Sequence, residues 1–278
     1  MEYPPDTSDA SVSSASVASF GRRLAAMLGF GVVGVVGLAL STALGVSVDP
    51  TIVERSGLPA DASLPIAVVS SVATPAVVVV VAAAVGTATA PRFGFRSLVH
   101  ERVARGGAVL GPLRDLAPRA LAVGITTGVG IVAVDAALTT VVPAAVASGP
   151  TERSVALVAT SAPARFLYGG VAEELLLRWG LVSALAWVLA TVVPSEHDRA
   201  IAGTAVVLAA GAFGLAHLPS AAASTTLTPA LVARVVLLNA AAGVVFGWLY
   251  VADALEAAML AHAAAHVPLL AAALIGVL

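Results

Sequence analysis

Long apolar stretches separated by short polar segments occupy this chain from residue 24 to residue 278. Stretches of about 20 apolar residues are typical of helices that cross a membrane. The pattern predicts seven such helices, or eight if a break at 163–170 divides the fourth one, and it shows no internal repeat. The predicted helices cover residues 24–48, 65–90, 120–147, 154–193, 201–217, 229–251 and 253–278.

The polar segments divide the chain into three parts. Residues 1–20 are polar and serine-rich, which predicts a disordered tail. Residues 21–150 hold the first membrane helices and an arginine-rich loop at 91–119, whereas residues 151–278 hold the later helices and the candidate chemistry. Short arginine-rich loops stay in the cytoplasm. We therefore expect an integral protein of the cell membrane with its N-terminus and loop 91–119 in the cytoplasm.

The composition supports the same fold class. Hydrophobic residues make up 59% of the 278 residues and charged residues 11%, whereas soluble domains carry roughly 25% charged residues. The sequence therefore predicts an all-α, polytopic transmembrane helical bundle. No basic patch indicates a nucleic-acid partner, and the lack of cysteine excludes thiolate ligands and a cysteine nucleophile. Gly31, Gly34 and Gly37 recur every third residue, which favours close helix packing.

Three charged residues lie together in the fourth predicted helix. Ionisable side chains inside a membrane are costly, and they mostly face a bundle interior or a water-filled cavity. Glu174 and Arg178 are four residues apart, so they share one helical face and can pair. Glu173 lies about 100° around the helix from Glu174, where its carboxylate can act as a proton acceptor. The alternative reading is a buried ion pair that only holds two helices together.

Three histidines follow on later predicted helices. His217 ends the fifth helix, and His262 and His266 share one face of the seventh because they are four residues apart. Taken singly, these are also the patterns of a helix-end capping group and of packed histidines without a chemical role. Hydrolysis of an amide needs a base that activates water and donors or a metal that stabilise the oxyanion. Glu173 can supply the base, and the histidines can supply the donors or hold the metal.

These motifs resemble those of the CPBP intramembrane proteases, which include CAAX prenyl endopeptidases of the Rce1 type and bacterial Abi proteins. That family carries EExxxR, FxxxH and HxxxN motifs in this order. The matching residues here lie between about 163 and 267, which is under half of the chain, and they are Glu173, Glu174, Arg178, Phe213, His217, His262 and His266. His266 is a departure, because the family most often has asparagine at this position.

The resemblance implies an intramembrane endopeptidase with a cavity open toward the cytoplasmic side, acting on a membrane-associated peptide or protein among membrane lipids. It implies that Glu173 and His217 activate water and that His262 and His266 stabilise the oxyanion. Glu174 and Arg178 then fix the geometry. We expect no required cofactor. The open alternative is a divalent metal such as zinc on the three histidines and Glu173, since imidazole is a good zinc ligand.

Other polar residues of the bundle receive simpler interpretations. We expect Asp135 to pair with Arg234 and Asn239 to hydrogen-bond between helices. Asp253 and Glu256 lie near a predicted helix start, where carboxylates complement the helix dipole. Two other functions stay open: a proton-coupled transporter that uses the buried charges as a relay, and a non-catalytic membrane scaffold of the same fold.

Overall fold

The computed structural model describes residues 18–141, 155–194, 197–223 and 225–276. Within these ranges the chain forms helices and turns without any β-strand, which confirms the predicted all-α bundle. The predicted disordered tail falls almost wholly outside the described residues, as does the end of the third predicted helix. The α-helices are α1 (Phe20–Val48), α2 (Ile52–Arg55), α3 (Leu64–Thr89), α4 (Leu98–Arg105), α5 (Leu110–Val141), α6 (Val155–Thr160), α7 (Ser183–Leu189), α8 (Asp198–Ala216), α9 (Leu218–Ala222), α10 (Pro229–Ala252) and α11 (Leu255–Leu274).

Six of these helices are long and apolar enough to cross a membrane, judged by length and composition. They are α1, α3, α5, α8, α10 and α11, and they correspond to six of the seven predicted membrane helices. The helical run that contains Glu173 is not among the six, and it carries four charged side chains. A polytopic membrane bundle is therefore confirmed, whereas the number of crossings stays a prediction.

The fourth predicted helix is divided, but not at its glycines. A turn at Ser161 separates α6 from a helical run that continues to Leu189. Pro163 has no backbone N–H to donate to the preceding turn, which explains why the break lies just before it. Two stretches of this run, Ala164–Glu173 and Leu175–Val182, have π-helical hydrogen bonding. We call them together the π segment. Such wide turns are rare and often occur at functional sites.

The π segment lies in the middle of the bundle. Helices α1 and α3 pack on it from one side, and α8 and α11 pack on it from the other. The approach of α1 depends on its glycines, as predicted. A Cβ atom on Gly34 would overlap Ala172, and one on Gly37 would overlap Leu167. The absence of these side chains brings the two helix backbones close together.

The arginine-rich loop is more helical and shorter than predicted. Helix α4 occupies its centre, and α5 begins at Leu110, ten residues before its predicted start. Arg114 and Arg119 therefore belong to a helix and not to a loop. Hydropathy marks only the apolar part of a helix, whereas backbone hydrogen bonding continues through the polar residues that precede it.

A carboxylate on α11 holds the N-terminus of α4. Glu256 accepts hydrogen bonds from the Ser97 hydroxyl at 2.7 Å and from the backbone N–H groups of Leu98 at 2.9 Å and Val99 at 3.0 Å. Glu256 lies in the first turn of α11, as expected. Asp253 lies before this turn and pairs instead with Arg119 at 3.0 Å. The start of α11 is thus tied to the arginine-rich segment.

Candidate active site

The predicted pair of Glu174 and Arg178 is present and deeply buried. The Arg178 Nη1 atom donates to Glu174 Oε1 at 2.8 Å, and the side chains are 2% and 0% exposed. Arg178 Nη2 also donates to the backbone carbonyl of Gly243 on α10 at 2.9 Å. Because its two ends are held by different helices, the guanidinium joins the π segment to α10.

Glu174 also holds a histidine that lies 88 residues later in the chain. Its Oε1 atom is 2.7 Å from His262 Nδ1. The imidazole of His262 stacks on Phe246 with 4.7 Å between ring centroids and on His266 with 5.0 Å. A hydrogen bond and two stacked rings therefore fix the His262 ring, and its Nε2 atom is directed away from Glu174.

Glu173 faces a different environment from its neighbour. It is half-buried and lines a cavity of about 230 Å³ between the π segment and helices α5, α8, α10 and α11. His217, His262 and His266 line the same cavity. The structure therefore brings Glu173 and all three predicted histidines to one pocket, while Glu174 and Arg178 lie in the packed interior beside it.

His217 is oriented by its own helix. Its Nδ1 atom is 2.8 Å from the Phe213 carbonyl oxygen. A carbonyl oxygen only accepts hydrogen bonds, so Nδ1 is the protonated nitrogen in this contact. In the neutral ring, Nε2 then keeps its lone pair and can accept a proton. The ring edge also meets Phe213 at 4.6 Å between centroids, which adds a second constraint on its orientation.

His266 is the least anchored of the three histidines. Both of its ring nitrogens are buried and have no hydrogen-bond partner within the part of the chain that the structure describes. Its ring packs against Gly169, where a Cβ atom would come within 2.7 Å of Nε2. Glycine at 169 therefore makes room for the imidazole of His266.

The side chains of the described residues are not arranged as a metal site. Among the described residues, no group of three or more His, Asp or Glu side chains is placed so that it could hold a metal ion. Glu173, His217, His262 and His266 share the pocket without forming such a group. Metal binding stays a prediction.

Asp135 and Arg234 form the expected pair, with Nε–Oδ1 and Nη2–Oδ2 distances of 2.5 and 2.6 Å. The expectation for Asn239 was wrong, because its Nδ2 atom donates to the Val235 carbonyl on its own helix at 2.8 Å. The amide shares a carbonyl of the preceding helical turn and does not reach another helix in this contact.

Two polar residues of the pocket, Arg165 and Tyr168, were not identified from the sequence. Arg165 and Tyr168 precede Glu173 on the π segment and line the cavity. Arg165 donates from Nε to the Ser161 hydroxyl at 2.9 Å. The position of Arg165 in a long apolar stretch was a usable signal, because an arginine there is costly unless it faces a cavity or a partner.

Comparison with known families agrees with this part of the chain. Residues 155–267 match the family described as Type II CAAX prenyl endopeptidase Rce1-like. The matched region begins at α6 and ends just after His266, so it contains the whole pocket constellation. No curated protein and no solved structure gave a significant match. The resemblance inferred from the three motifs is thus confirmed for this region.

Proposed function

Because residues 155–267 match the family described as Type II CAAX prenyl endopeptidase Rce1-like, we propose that this protein is an intramembrane endopeptidase. It hydrolyses a peptide bond in a membrane-associated peptide or protein. The observation that carries the proposal is the pocket that Glu173 shares with His217, His262 and His266. A carboxylate and three imidazoles around one cavity supply the groups that water-mediated amide hydrolysis needs.

Glu173 is the general base, together with His217. The Glu173 carboxylate takes a proton from water as the water oxygen bonds to the scissile carbonyl carbon. The same proton then passes to the leaving nitrogen when the C–N bond breaks. His217 Nε2 carries a lone pair in the neutral ring, so it accepts a hydrogen bond from the attacking water and orients it.

His262 and His266 stabilise the oxyanion of the tetrahedral intermediate. When His262 carries protons on both nitrogens, Nδ1–H donates to Glu174 and Nε2–H is a second donor. The neutral His266 ring adds one N–H donor from the adjacent position. Donors held rigidly in a pocket of low polarity stabilise developing negative charge strongly. Glu174 and Arg178 act as positioning residues, because they hold the His262 ring and do not reach the pocket.

The bundle lies in the cell membrane with its N-terminus and the arginine-rich segment on the cytoplasmic side. This orientation follows from the excess of arginine at that end. The partners are membrane lipid and a membrane-associated substrate, with no nucleic acid.

The test is cleavage of lipid-anchored peptides of randomised sequence, reconstituted with the protein in proteoliposomes and analysed by mass spectrometry. Glu173→Gln and His217→Ala should each lower the rate about 10²- to 10⁴-fold, which is the usual contribution of general acid–base catalysis. Glu54→Gln and His197→Ala are matched controls at exposed positions outside the pocket, and they should cleave like the wild type. Undiminished cleavage by both pocket variants would refute the assignment.

Further measurements separate the alternative mechanisms and functions. A chelator should leave cleavage unchanged if Glu173 and His217 work without a metal, and loss of activity that zinc restores would favour the metal mechanism. Peptides with and without an isoprenoid chain show whether prenylation is required. Uphill solute transport driven by a proton gradient, with no cleavage of any peptide, would favour a transporter.

A further inference from the structure

Tyr168 brings a hydroxyl group to the pocket in addition to the carboxylate and the imidazoles. It lies in the first stretch of the π segment and lines the cavity together with Glu173. Its hydroxyl forms no hydrogen bond with any residue that the structure describes. The oxygen is not sealed inside the protein either, so water or a substrate can reach it. A new partner would therefore gain this hydrogen bond without breaking another one inside the protein.

The hydrogen-bond register of the π segment places Tyr168 on the same side as Glu173. The two residues are five apart, which in an α-helix would separate them by about 140° around the axis. In π-helical hydrogen bonding each turn closes between residues five apart, so the later residue lies above the earlier one. The other face shows the same repeat, because Leu167 and Ala172 both contact the glycines of α1. The π register thus turns Tyr168 and Glu173 toward the pocket together.

Tyr168 also lies next to a group that we assign to oxyanion stabilisation. Its neighbour Gly169 packs directly against the His266 ring, where a Cβ atom would come within 2.7 Å of Nε2. The phenol is close enough to the Glu173 carboxylate for the two groups to interact electrostatically, although no hydrogen bond joins these two side chains. Tyr168 therefore stands between the proposed base and a proposed oxyanion donor, beside the place where a scissile peptide bond would lie.

We propose that Tyr168 is a further catalytic residue, whose hydroxyl donates a hydrogen bond to the oxyanion of the tetrahedral intermediate. This inference rests on the proposed endopeptidase function and adds a third donor to His262 and His266. A phenol keeps its proton at neutral pH, so this donor is present in every protonation state of the two histidines. The hydrogen bond strengthens as the water oxygen bonds to the carbonyl carbon and the carbonyl oxygen becomes negative. The phenol keeps its proton throughout, and the bond weakens again when the carbonyl re-forms.

The test compares Tyr168→Phe with the wild type in proteoliposomes, on a peptide that the wild type cleaves. The substitution removes only the hydroxyl group. Tyr250→Phe is the matched control, because the Tyr250 hydroxyl is 3.0 Å from the Ser183 hydroxyl in the packed interior and does not line the pocket. The values of kcat and KM are measured separately for each full-length variant, and melting curves give its folded fraction.

Tyr168→Phe should lower kcat about 10²-fold, which is the usual loss for one oxyanion donor. Its KM should change little, because the contact forms only in the transition state. Its melting temperature should stay close to that of the wild type, since the hydroxyl has no partner among the described residues. Tyr250→Phe should show the opposite pattern, with a lower melting temperature and an unchanged kcat per folded molecule.

Binding of a peptide phosphinate gives a readout that a purely structural role would not change. Its tetrahedral, anionic group takes the place of the scissile amide and resembles the intermediate, so it should bind more weakly to Tyr168→Phe by about the factor that kcat loses. The peptide product, which lacks the tetrahedral group, should bind equally well to Tyr168→Phe and the wild type.

A wild-type kcat in Tyr168→Phe, or a change in KM alone, would overturn the role of Tyr168. So would a loss of kcat that only matches a loss of folded protein, or unchanged phosphinate affinity. These outcomes leave the proposed function intact, because the wild type still cleaves the peptide. If the wild type cleaves no peptide, the endopeptidase proposal itself fails, and the role of Tyr168 fails with it.

Discussion

The buried contact among Glu174, Arg178 and His262 provides the sharpest stability prediction. Glu174→Gln keeps the size and shape of the side chain and removes its charge. In the native protein a single oxygen, Oε1, faces both Arg178 Nη1 at 2.8 Å and His262 Nδ1 at 2.7 Å. The substitution therefore leaves a guanidinium that is 2% exposed without its carboxylate.

The expected cost follows from these contacts. Removing one partner of a buried ion pair destabilises a protein by about 3–5 kcal/mol, because the other charge stays buried and uncompensated. The glutamine oxygen still accepts one hydrogen bond, and Arg178 keeps its bond to the Gly243 carbonyl. We therefore expect a loss near the lower limit, about 3 kcal/mol, which lowers the ratio of folded to unfolded protein by about two powers of ten.

The measurement is reversible unfolding in mixed micelles, with SDS as denaturant and tryptophan fluorescence as the signal. Trp179 is fully buried and one residue from Arg178, so it reports on this region. The matched control is Glu101→Gln, which removes the same charge from an exposed pair with Arg96. Exposed pairs contribute about 0–1 kcal/mol, so this control should unfold almost like the wild type.

A second variant identifies the cause of the loss. Combining Glu174→Gln with Arg178→Met removes the uncompensated charge as well, so part of the lost stability should return. The reasoning is refuted if Glu174→Gln unfolds within about 1 kcal/mol of the wild type, as a surface pair would. It is also refuted if the loss of stability in the double variant equals the sum of the losses that Glu174→Gln and Arg178→Met cause separately.

Two further predictions concern α4 and α5. Burial, and then the nearby Arg23, lower the pKa of His100 below its usual range. The unfolded chain therefore binds this proton more readily, and the stability of the fold should decrease as the pH drops below about 6.5. Melting curves at several pH values should show this decrease, and a His100→Gln variant with the same pH dependence would contradict it. A Cβ atom on Gly124 would overlap the backbone of α11, whereas one on Gly130 meets no atom within 4 Å. Gly124→Ala should therefore destabilise the protein by about 1–3 kcal/mol, and Gly130→Ala should be neutral or stabilising by up to about 1 kcal/mol. Equal melting temperatures for the two variants would contradict this packing.

Hydropathy was sufficient to locate the long helices, because a membrane helix must bury about 20 apolar residues in sequence. It could not locate the start of α5, since Arg114 and Asp115 continue the backbone hydrogen bonds without apolar side chains. The π-helical geometry of the π segment could not be predicted from the sequence either. A π turn differs from an α turn in hydrogen-bond register, and the hydrophobic pattern does not record that difference.

In the site, helical spacing was enough to predict the contact between Glu174 and Arg178, because residues four apart in one helix are neighbours. The scarcity of charge also pointed correctly to the Asp135–Arg234 pair, because each charge in the bundle needs a partner. The contact of Glu174 with His262 could not be predicted from spacing. It spans 88 residues and depends on how α11 packs against the π segment, which only three-dimensional structure reveals.

The buried side chains next to His262, on the side of the pocket that leads to the start of α11, have a consequence for the membrane. A hydrolase in a bilayer must admit water to its reacting groups, and a channel of water from one face to the other would conduct protons and dissipate the membrane potential. Phe246, Leu255 and Met259 lie on this side, and their apolar side chains are at most 6% exposed. Close packing of these side chains restricts the passage of water toward the start of α11. The proposed hydrolysis can therefore draw water into the pocket without a file of water that crosses the whole bilayer.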